Sequence, residues 1–216
     1  MKKIFNTVLF DLDGTLLDTN RLILESFAHS FGNLYGEVPD QKILTGFFGM
    51  TLHEALSHLS RRPEDIEPLL LGFREYNLKH HDQYVSVFPG AEETFRALKD
   101  HHYKIGIVTS KLNKTARRGL ALFDLEKYVD ICIGADDTPL HKPDPLPVLT
   151  ALAKLNRKGS ESVMVGDSLH DMVAGRKSGC QTVFVTYSVV QADNIKEYSD
   201  YQIDHLTELT DILGIV

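Results

Sequence analysis

Acidic side chains follow two short apolar runs of this chain. Asp11 and Asp13 come directly after the first run, and Asp167 and Asp171 come after a later one. Asp11, Asp167 and Asp171 can supply the hard oxygen ligands that Mg²⁺ prefers. A carboxylate can also act as a nucleophile and form an acyl phosphate. These residue types therefore indicate metal-assisted phosphoryl chemistry.

Two further apolar runs are followed by groups that suit a phosphate. Thr109-Ser110-Lys111 follows one of them, and Lys142 lies in the loop after the other. Thr109 and Lys142 can hold phosphate oxygens and balance their charge. Gly14 and Gly166 allow the backbone to approach a phosphate, with N–H groups forming an anion-binding nest. Because phosphoryl transfer requires mainly positioning and charge neutralisation, this set of groups is nearly sufficient.

The elements that must position these groups alternate along the chain. Short apolar runs rich in β-branched residues predict strands at 8–10, 104–109, 130–134, 162–166 and 182–186. Apolar residues at three- and four-residue intervals predict helices at 91–101, 113–122, 145–155 and 171–178. This alternation predicts an α/β fold with a Rossmann-like parallel sheet flanked by helices. In such a sheet, ligands bind beyond the carboxyl ends of the strands, where all the groups above lie.

Residues 16–87 interrupt this alternation. They show a helical pattern, punctuated by glycines and prolines, and no convincing strand. We therefore predict an α/β core at 1–15 and 88–216 with a small all-helical cap at 16–87. An insertion between the first two strands must stand over their carboxyl ends, so the cap should act as a lid over a small anionic substrate. Arg74 and the loop around Met50 are the expected cap contacts.

Composition excludes several other classes of protein. The chain has 216 residues and a formal net charge of −7, so it holds one domain or one domain with an insertion. An isoelectric point near 5.8 argues against a nucleic-acid partner. No apolar run reaches the roughly 20 residues that span a membrane. Cys132 and Cys180 cannot form a disulfide framework and predict buried thiols in a reducing cytoplasm. The sequence does not decide between a monomer and a dimer.

Four motifs in this order resemble those of the haloacid dehalogenase-like superfamily. They are Asp11-Leu12-Asp13-Gly14-Thr15, Ile107-Val108-Thr109-Ser110, Lys142-Pro143-Asp144-Pro145, and Gly166-Asp167 with Asp171. The resemblance covers the whole predicted core, and the helical insert resembles the superfamily's type-1 cap. The segments around the motifs look closest to phosphoglycolate phosphatases. His80-His81-Asp82 and Lys111-Leu112 are similar to segments of bacillus-type pyrophosphatases.

The resemblance implies a role for each matched residue. Asp11 would be the nucleophile and Asp13 the general acid and base, with Thr109 and Lys142 binding the phosphoryl group. Mg²⁺ would bind Asp11, the Asp13 carbonyl, Asp167 and, directly or through water, Asp171. The expected contacts to the small phosphorylated substrate are Gly14, Thr15, Ser110, Lys111, Met50 and Arg74.

Alternative functions share parts of this motif set. A phosphomutase of the β-phosphoglucomutase type would use the same core, and the sequence does not separate it from a hydrolase. A dehalogenase or a phosphonate hydrolase is disfavoured because Asp13 is present. A phosphate-binding module without activity is a third alternative, although every candidate catalytic group is intact. Pyrophosphate and phosphoglycolate are the favoured substrates, by resemblance.

Overall fold

The computed structural model describes residues 5–190 and 195–215. Its strands, in chain order, are β1 (Thr7–Phe10), β2 (Leu17–Asp18), β3 (Ser86–Val87), β4 (Lys104–Val108), β5 (Ile131–Ile133), β6 (Ser162–Gly166), β7 (Gln181–Val185) and β8 (Tyr201–Ile203). Its α-helices are α1 (Asn20–Tyr35), α2 (Gln41–Thr45), α3 (Leu52–Leu59), α4 (Ile66–Tyr84), α5 (Ala91–Asp100), α6 (Asn113–Leu122), α7 (Leu146–Leu155), α8 (Leu169–Lys177), α9 (Ile195–Tyr198) and α10 (Leu209–Leu213).

The main sheet has the strand order β5-β4-β1-β6-β7-β8, and each neighbouring pair is parallel. Phe10 at the end of β1 is in register with Ile107 of β4 and Val165 of β6. The three central strands therefore end side by side, and the residues that follow them meet at one edge of the sheet. The predicted α/β class with a Rossmann-like parallel sheet is confirmed.

Both faces of the sheet are covered by helices. In β1, Val8 and Phe10 point into one apolar cluster, whereas Leu9 points into another. Helices α5, α6 and α10 pack on the first cluster, and α7 and α8 pack on the second. This two-sided burial is why the strands are almost continuously hydrophobic. No helix in the described part of the chain is both long and apolar enough to cross a membrane.

Helices α1 to α4 form an apolar cluster of their own. Phe27 and Phe31 of α1 pack with Leu69 and Phe73 of α4, and the rings of Phe27 and Phe73 meet edge to face at 4.8 Å. These helices lie in residues 20–84, between β2 and β3. The insert thus has an interior separate from that of the sheet.

Two strand assignments differ from the sequence prediction. No strand is predicted in residues 16–87. In the structure, β2 and β3 lie near the two ends of this segment and pair antiparallel, with Leu17 opposite Val87. Two-residue strands are too short to show a hydrophobic period. The prediction also omits β8, because Tyr201 and Gln202 are exposed in that edge strand and Ile203 alone of its three residues is buried.

Candidate active site

The central strand ends bring three carboxylates together. Asp11 follows β1, Asp167 follows β6, and Asp171 lies in the first turn of α8. One oxygen from each lies within 4.8 Å of the others, and all three residues are buried. The sequence prediction therefore grouped residues that are adjacent in space.

Lys142 lies beside this cluster and bridges two of its three carboxylates. Its Nζ donates to Asp11 Oδ1 at 2.8 Å, to Asp171 Oδ1 at 2.6 Å and to the carbonyl oxygen of Val108 at 2.8 Å. The side chain is only 2% exposed. Lys142 is therefore a buried counter-ion for Asp11 and Asp171.

The electrostatics of the cluster are dominated by the burial of three carboxylates beside one ammonium. Burial raises the pKa of Asp11 to about 7, although Lys142 opposes the shift. Burial also raises the pKa of Asp167 well above its usual value, and the charges of Asp11 and Asp171 add to this effect. Burial alone would lower the pKa of Lys142, but its attraction to Asp11 and Asp171 outweighs that cost and raises it.

The donor set fits a hard divalent cation. Three ionised carboxylates around a single ammonium leave two negative charges in excess, which a divalent cation would balance. All the available side-chain donors in the cluster are oxygens, as Mg²⁺ requires. Asp11 Oδ2 and Asp167 Oδ1 accept no hydrogen bond within the described residues. Asp167 Oδ1 is therefore available to a cation, and Asp11 Oδ2 is free to attack a phosphorus atom.

Asp171 has a structural role in addition to its place in the cluster. Its Oδ2 accepts hydrogen bonds from the Ser168 backbone N–H at 3.0 Å and the Ser168 hydroxyl at 2.6 Å. This pair forms a capping box at the start of α8. Because Oδ1 of Asp171 accepts from Lys142, both of its oxygens are engaged. Contact with a cation through water fits this arrangement better than direct ligation.

Asp13 and the residues after β4 face the cavity. Lys111 Nζ donates to both oxygens of Asp13, at 2.9 and 2.8 Å. Thr109 is buried at the end of β4, whereas Ser110 and Lys111 are partly exposed. All of these residues line the same cavity, together with Asp11. The geometry thus brings together the predicted nucleophile, the predicted acid and base, the predicted phosphoryl-binding Thr109 and two predicted substrate contacts.

The turn after β1 depends on Gly14. Its φ is +81°, which favours glycine, and its N–H donates to Leu17 O at 2.8 Å. A Cβ at Gly14 would lie 2.1 Å from Asp167 Oδ2, so the turn lies directly against that carboxylate. Thr15 is predicted to contact the substrate, but the structure places it elsewhere. Its side chain is fully buried within the turn's packing and does not line the cavity.

The cavity lies between the strand ends and the helical insert and has a volume of about 300 Å³. Met50 and Arg74, the two predicted cap contacts, line its insert side. His53 and Asn77 also line it and were not predicted. Asn77 lies three residues after Arg74 on α4, so helical spacing from Arg74 could have identified it.

The insert contacts the strand ends across this cavity. The Ser110 hydroxyl donates to the carbonyl oxygen of Gly49 at 2.7 Å. Gly49 has φ +91°, and a Cβ there would lie 2.8 Å from the hydroxyl oxygen of Ser168. The loop that carries Met50 is therefore seated on the sheet edge and covers the carboxylates.

Sequence reasoning missed two residues that follow β7. The Ser188 hydroxyl donates to Asp167 Oδ2 at 2.5 Å, and the Tyr187 hydroxyl donates to Thr15 O at 2.6 Å. The rule that ligands bind at the carboxyl ends of strands applies to β7 as well. Applied there, it would have placed both residues among the candidates.

Comparisons with known proteins agree with this architecture. The family model described as haloacid dehalogenase-like hydrolase matches residues 8–185. A protein named pyrophosphatase PpaX from Halalkalibacterium halodurans is 37% identical to this chain over 211 residues. Another of the same name from Bacillus mycoides is 38% identical over 210 residues. Each alignment covers 97% of this chain and 97% of the relative. A predicted phosphatase from Clostridium acetobutylicum has 26% identity and a TM-score of 0.87, and covers 99% of this chain and 100% of its own.

A predicted phosphoglycolate phosphatase from Haemophilus somnus also has a TM-score of 0.87, covering 96% of this chain and 97% of its own. At 21% identity it supports the fold alone. The chain belongs to the haloacid dehalogenase-like hydrolase family. Within that family it is an enzyme of the phosphatase class.

Proposed function

We propose that the chain is a Mg²⁺-dependent phosphohydrolase that acts on a small phosphorylated metabolite through an aspartyl-phosphate intermediate. The observation that carries this proposal is the buried cluster of Asp11, Asp167 and Asp171 around Lys142, next to a cavity of about 300 Å³. An excess of buried negative charge beside a cavity is suited to a divalent cation and a phosphate together.

The chain offers a complete set of ligands for the cation. Asp11, Asp167 and the Asp13 carbonyl would hold Mg²⁺ directly, and Asp171 would contribute through water. When bound, Mg²⁺ would neutralise charge on the phosphoryl oxygens and orient the phosphoryl group.

The side chains at the strand ends can perform both halves of the reaction. Asp11 Oδ2 attacks phosphorus while the bond to the leaving oxygen breaks, and Asp13 donates a proton to that oxygen. Asp13 then takes a proton from a water molecule that attacks the acyl phosphate, which releases phosphate and restores Asp11. Lys142 fixes Asp11 Oδ1 and so leaves Oδ2 free to attack. Thr109 would hold a phosphoryl oxygen, because its hydroxyl accepts from the Lys111 N–H and donates to no described residue.

We further propose residues 16–87 as a cap domain over a core of 1–15 and 88–216. The separate apolar cluster of α1 to α4 and the β2–β3 pair at the two crossings support this division. The contact of Ser110 with Gly49 corresponds to a closed lid, which would exclude water from the cavity. Opening would occur about the β2–β3 pair.

The substrate we favour is pyrophosphate, with phosphoglycolate second. Both are small enough for the cavity and place a second negative group away from the reacting phosphorus. Arg74, on the insert side of the cavity, is the group suited to that second charge. The names of the curated relatives support pyrophosphate.

A panel assay tests the proposal. Phosphate release is measured from pyrophosphate, phosphoglycolate and hexose phosphates with Mg²⁺, and isomerisation of glucose 1-phosphate is measured in parallel. We expect release from a small substrate and its loss in Asp11→Asn. Release should be retained in Asp211→Asn, which makes the same change on the exposed side of α10, outside the cavity. Isomerisation faster than release would favour a phosphomutase. No turnover of any substrate, with phosphate binding retained, would favour an inactive phosphate-binding module.

A further inference from the structure

The loop after β7 contacts the carboxylate cluster at Asp167, the carboxylate to which Lys142 does not donate. Ser188 donates from its hydroxyl to Asp167 Oδ2 at 2.5 Å. We propose that Ser188 is a positioning residue that engages this oxygen, so that Asp167 offers a divalent cation one oxygen instead of two. The inference rests on the proposed function, which assigns Asp167 to the cation.

The surroundings of Asp167 prevent its carboxylate from turning. A Cβ at Gly14 would lie 2.1 Å from Asp167 Oδ2 and 3.0 Å from the Ser188 hydroxyl oxygen. Oδ2 is therefore enclosed between the backbone of the turn after β1 and the Ser188 hydroxyl. The other oxygen, Oδ1, accepts no hydrogen bond from the described residues and is left for the cation.

Tyr187 fixes the loop that carries Ser188. Its hydroxyl donates to Thr15 O at 2.6 Å, and its ring packs against Phe88 with 4.6 Å between centroids. Burial raises the pKa of the Tyr187 hydroxyl, so this group stays protonated and keeps its donor. The loop is thereby tied to the turn that carries Asp11 and Asp13.

The other two carboxylates are restrained in the same way. Lys142 occupies Asp11 Oδ1, and both oxygens of Asp171 are occupied by Lys142 and Ser168. Among the described residues, Asp11 and Asp167 are therefore each left with one unpartnered oxygen, and Asp171 with none. Mg²⁺ accepts single oxygens in near-octahedral geometry, whereas Ca²⁺ is larger and readily takes both oxygens of a carboxylate. Ser188 should therefore favour Mg²⁺ over Ca²⁺.

Calorimetric titration of Mg²⁺ and of Ca²⁺ into the purified full chain tests this inference without an activity readout. Partners that orient a metal ligand typically contribute about 10–100-fold to metal affinity. We expect Ser188→Ala to bind Mg²⁺ about 10-fold or more weakly, to lose less affinity for Ca²⁺, and to be rescued in Ser188→Thr. Thr186→Ala is the matched control, because that hydroxyl on the same loop contacts Ile203 O and Asp204 instead.

Wild-type affinity for Mg²⁺ in Ser188→Ala would overturn the inference, and so would equal weakening of both cations. Melting temperatures in EDTA show whether each variant folds. If Ser188→Ala does not fold, the comparison of Ser188→Thr with Ser188→Val replaces it, since these two side chains differ only by the hydroxyl. Failure of the proposed function is a separate result: the wild-type chain would then release no phosphate from any substrate, whatever its cation affinities.

Discussion

Replacing Lys142 by Met would remove the ammonium that compensates two buried carboxylates. The lost contacts are hydrogen bonds of 2.8 Å to Asp11, 2.6 Å to Asp171 and 2.8 Å to the Val108 carbonyl oxygen. Removing one partner of a buried ion pair typically costs about 3–5 kcal/mol, because the remaining charge is left uncompensated. We expect the free energy of unfolding to fall by about that amount, equivalent to about 6–20 °C in Tm for a chain of this size.

Urea denaturation in EDTA, followed by circular dichroism, measures this difference. Lys104→Met is the control, because Lys104 also pairs with an aspartate but its side chain is 41% exposed. Exposed pairs contribute about 0.2–1 kcal/mol. Added Mg²⁺ should recover part of the stability lost in Lys142→Met, since it neutralises the same carboxylates. A loss in Lys142→Met no larger than in Lys104→Met would refute this account of the cluster.

Three further predictions concern other parts of the molecule. Asp13→Asn should slow turnover by about 10²–10⁴-fold. The loss should be larger for alkyl phosphates than for p-nitrophenyl phosphate, because the leaving oxygen of the latter needs no proton. Equal losses on the two substrates would contradict the acid–base role. Arg74→Ala should lower kcat/KM on the best substrate by about 10–100-fold, and an unchanged value would remove Arg74 from the substrate site. Burial alone would raise the pKa of Asp130, but hydrogen bonds from the Ile105 N–H and two lysines hold it below its usual value. The lowered pKa means that ionised Asp130 stabilises the folded state. This contribution is present above the pKa of Asp130 in the unfolded chain, and it is lost as pH falls through its pKa in the folded chain. Denaturation below about pH 4 should therefore be steeper in wild type than in Asp130→Asn, and parallel curves would contradict this.

Local patterns were sufficient to predict the fold. The strand at Ser162–Gly166 and the helix at Asn113–Leu122 have the predicted bounds, because each carries its full hydrophobic period. The order of strands and helices then defines a parallel sheet, and the sheet brings residues after β1, β4 and β6 to one edge. Short or exposed strands carry no such period, which explains the omission of β2, β3 and β8.

The detailed geometry of the site could not be predicted in the same way. The motifs include Lys142, but the sequence does not reveal that its ammonium is shared by Asp11, Asp171 and the Val108 carbonyl oxygen. Thr15 is in a matched motif, yet its side chain packs inward because the turn folds back at Gly14. Ser188 lies 21 residues from Asp167 and belongs to no matched motif, so the sequence could place it after β7 but could not identify Asp167 as its partner.

We propose that Asp11 becomes phosphorylated during turnover. The direct test is to quench the enzyme during hydrolysis of its best substrate, reduce it with borohydride, and map the product by peptide mass spectrometry. Reduction converts an aspartyl phosphate to homoserine, so we predict homoserine at position 11 in a substrate-dependent amount. Enzyme quenched without substrate should retain aspartate there. Phosphate release at full rate with no trapped product at Asp11, or with the product at another carboxylate, would contradict the account.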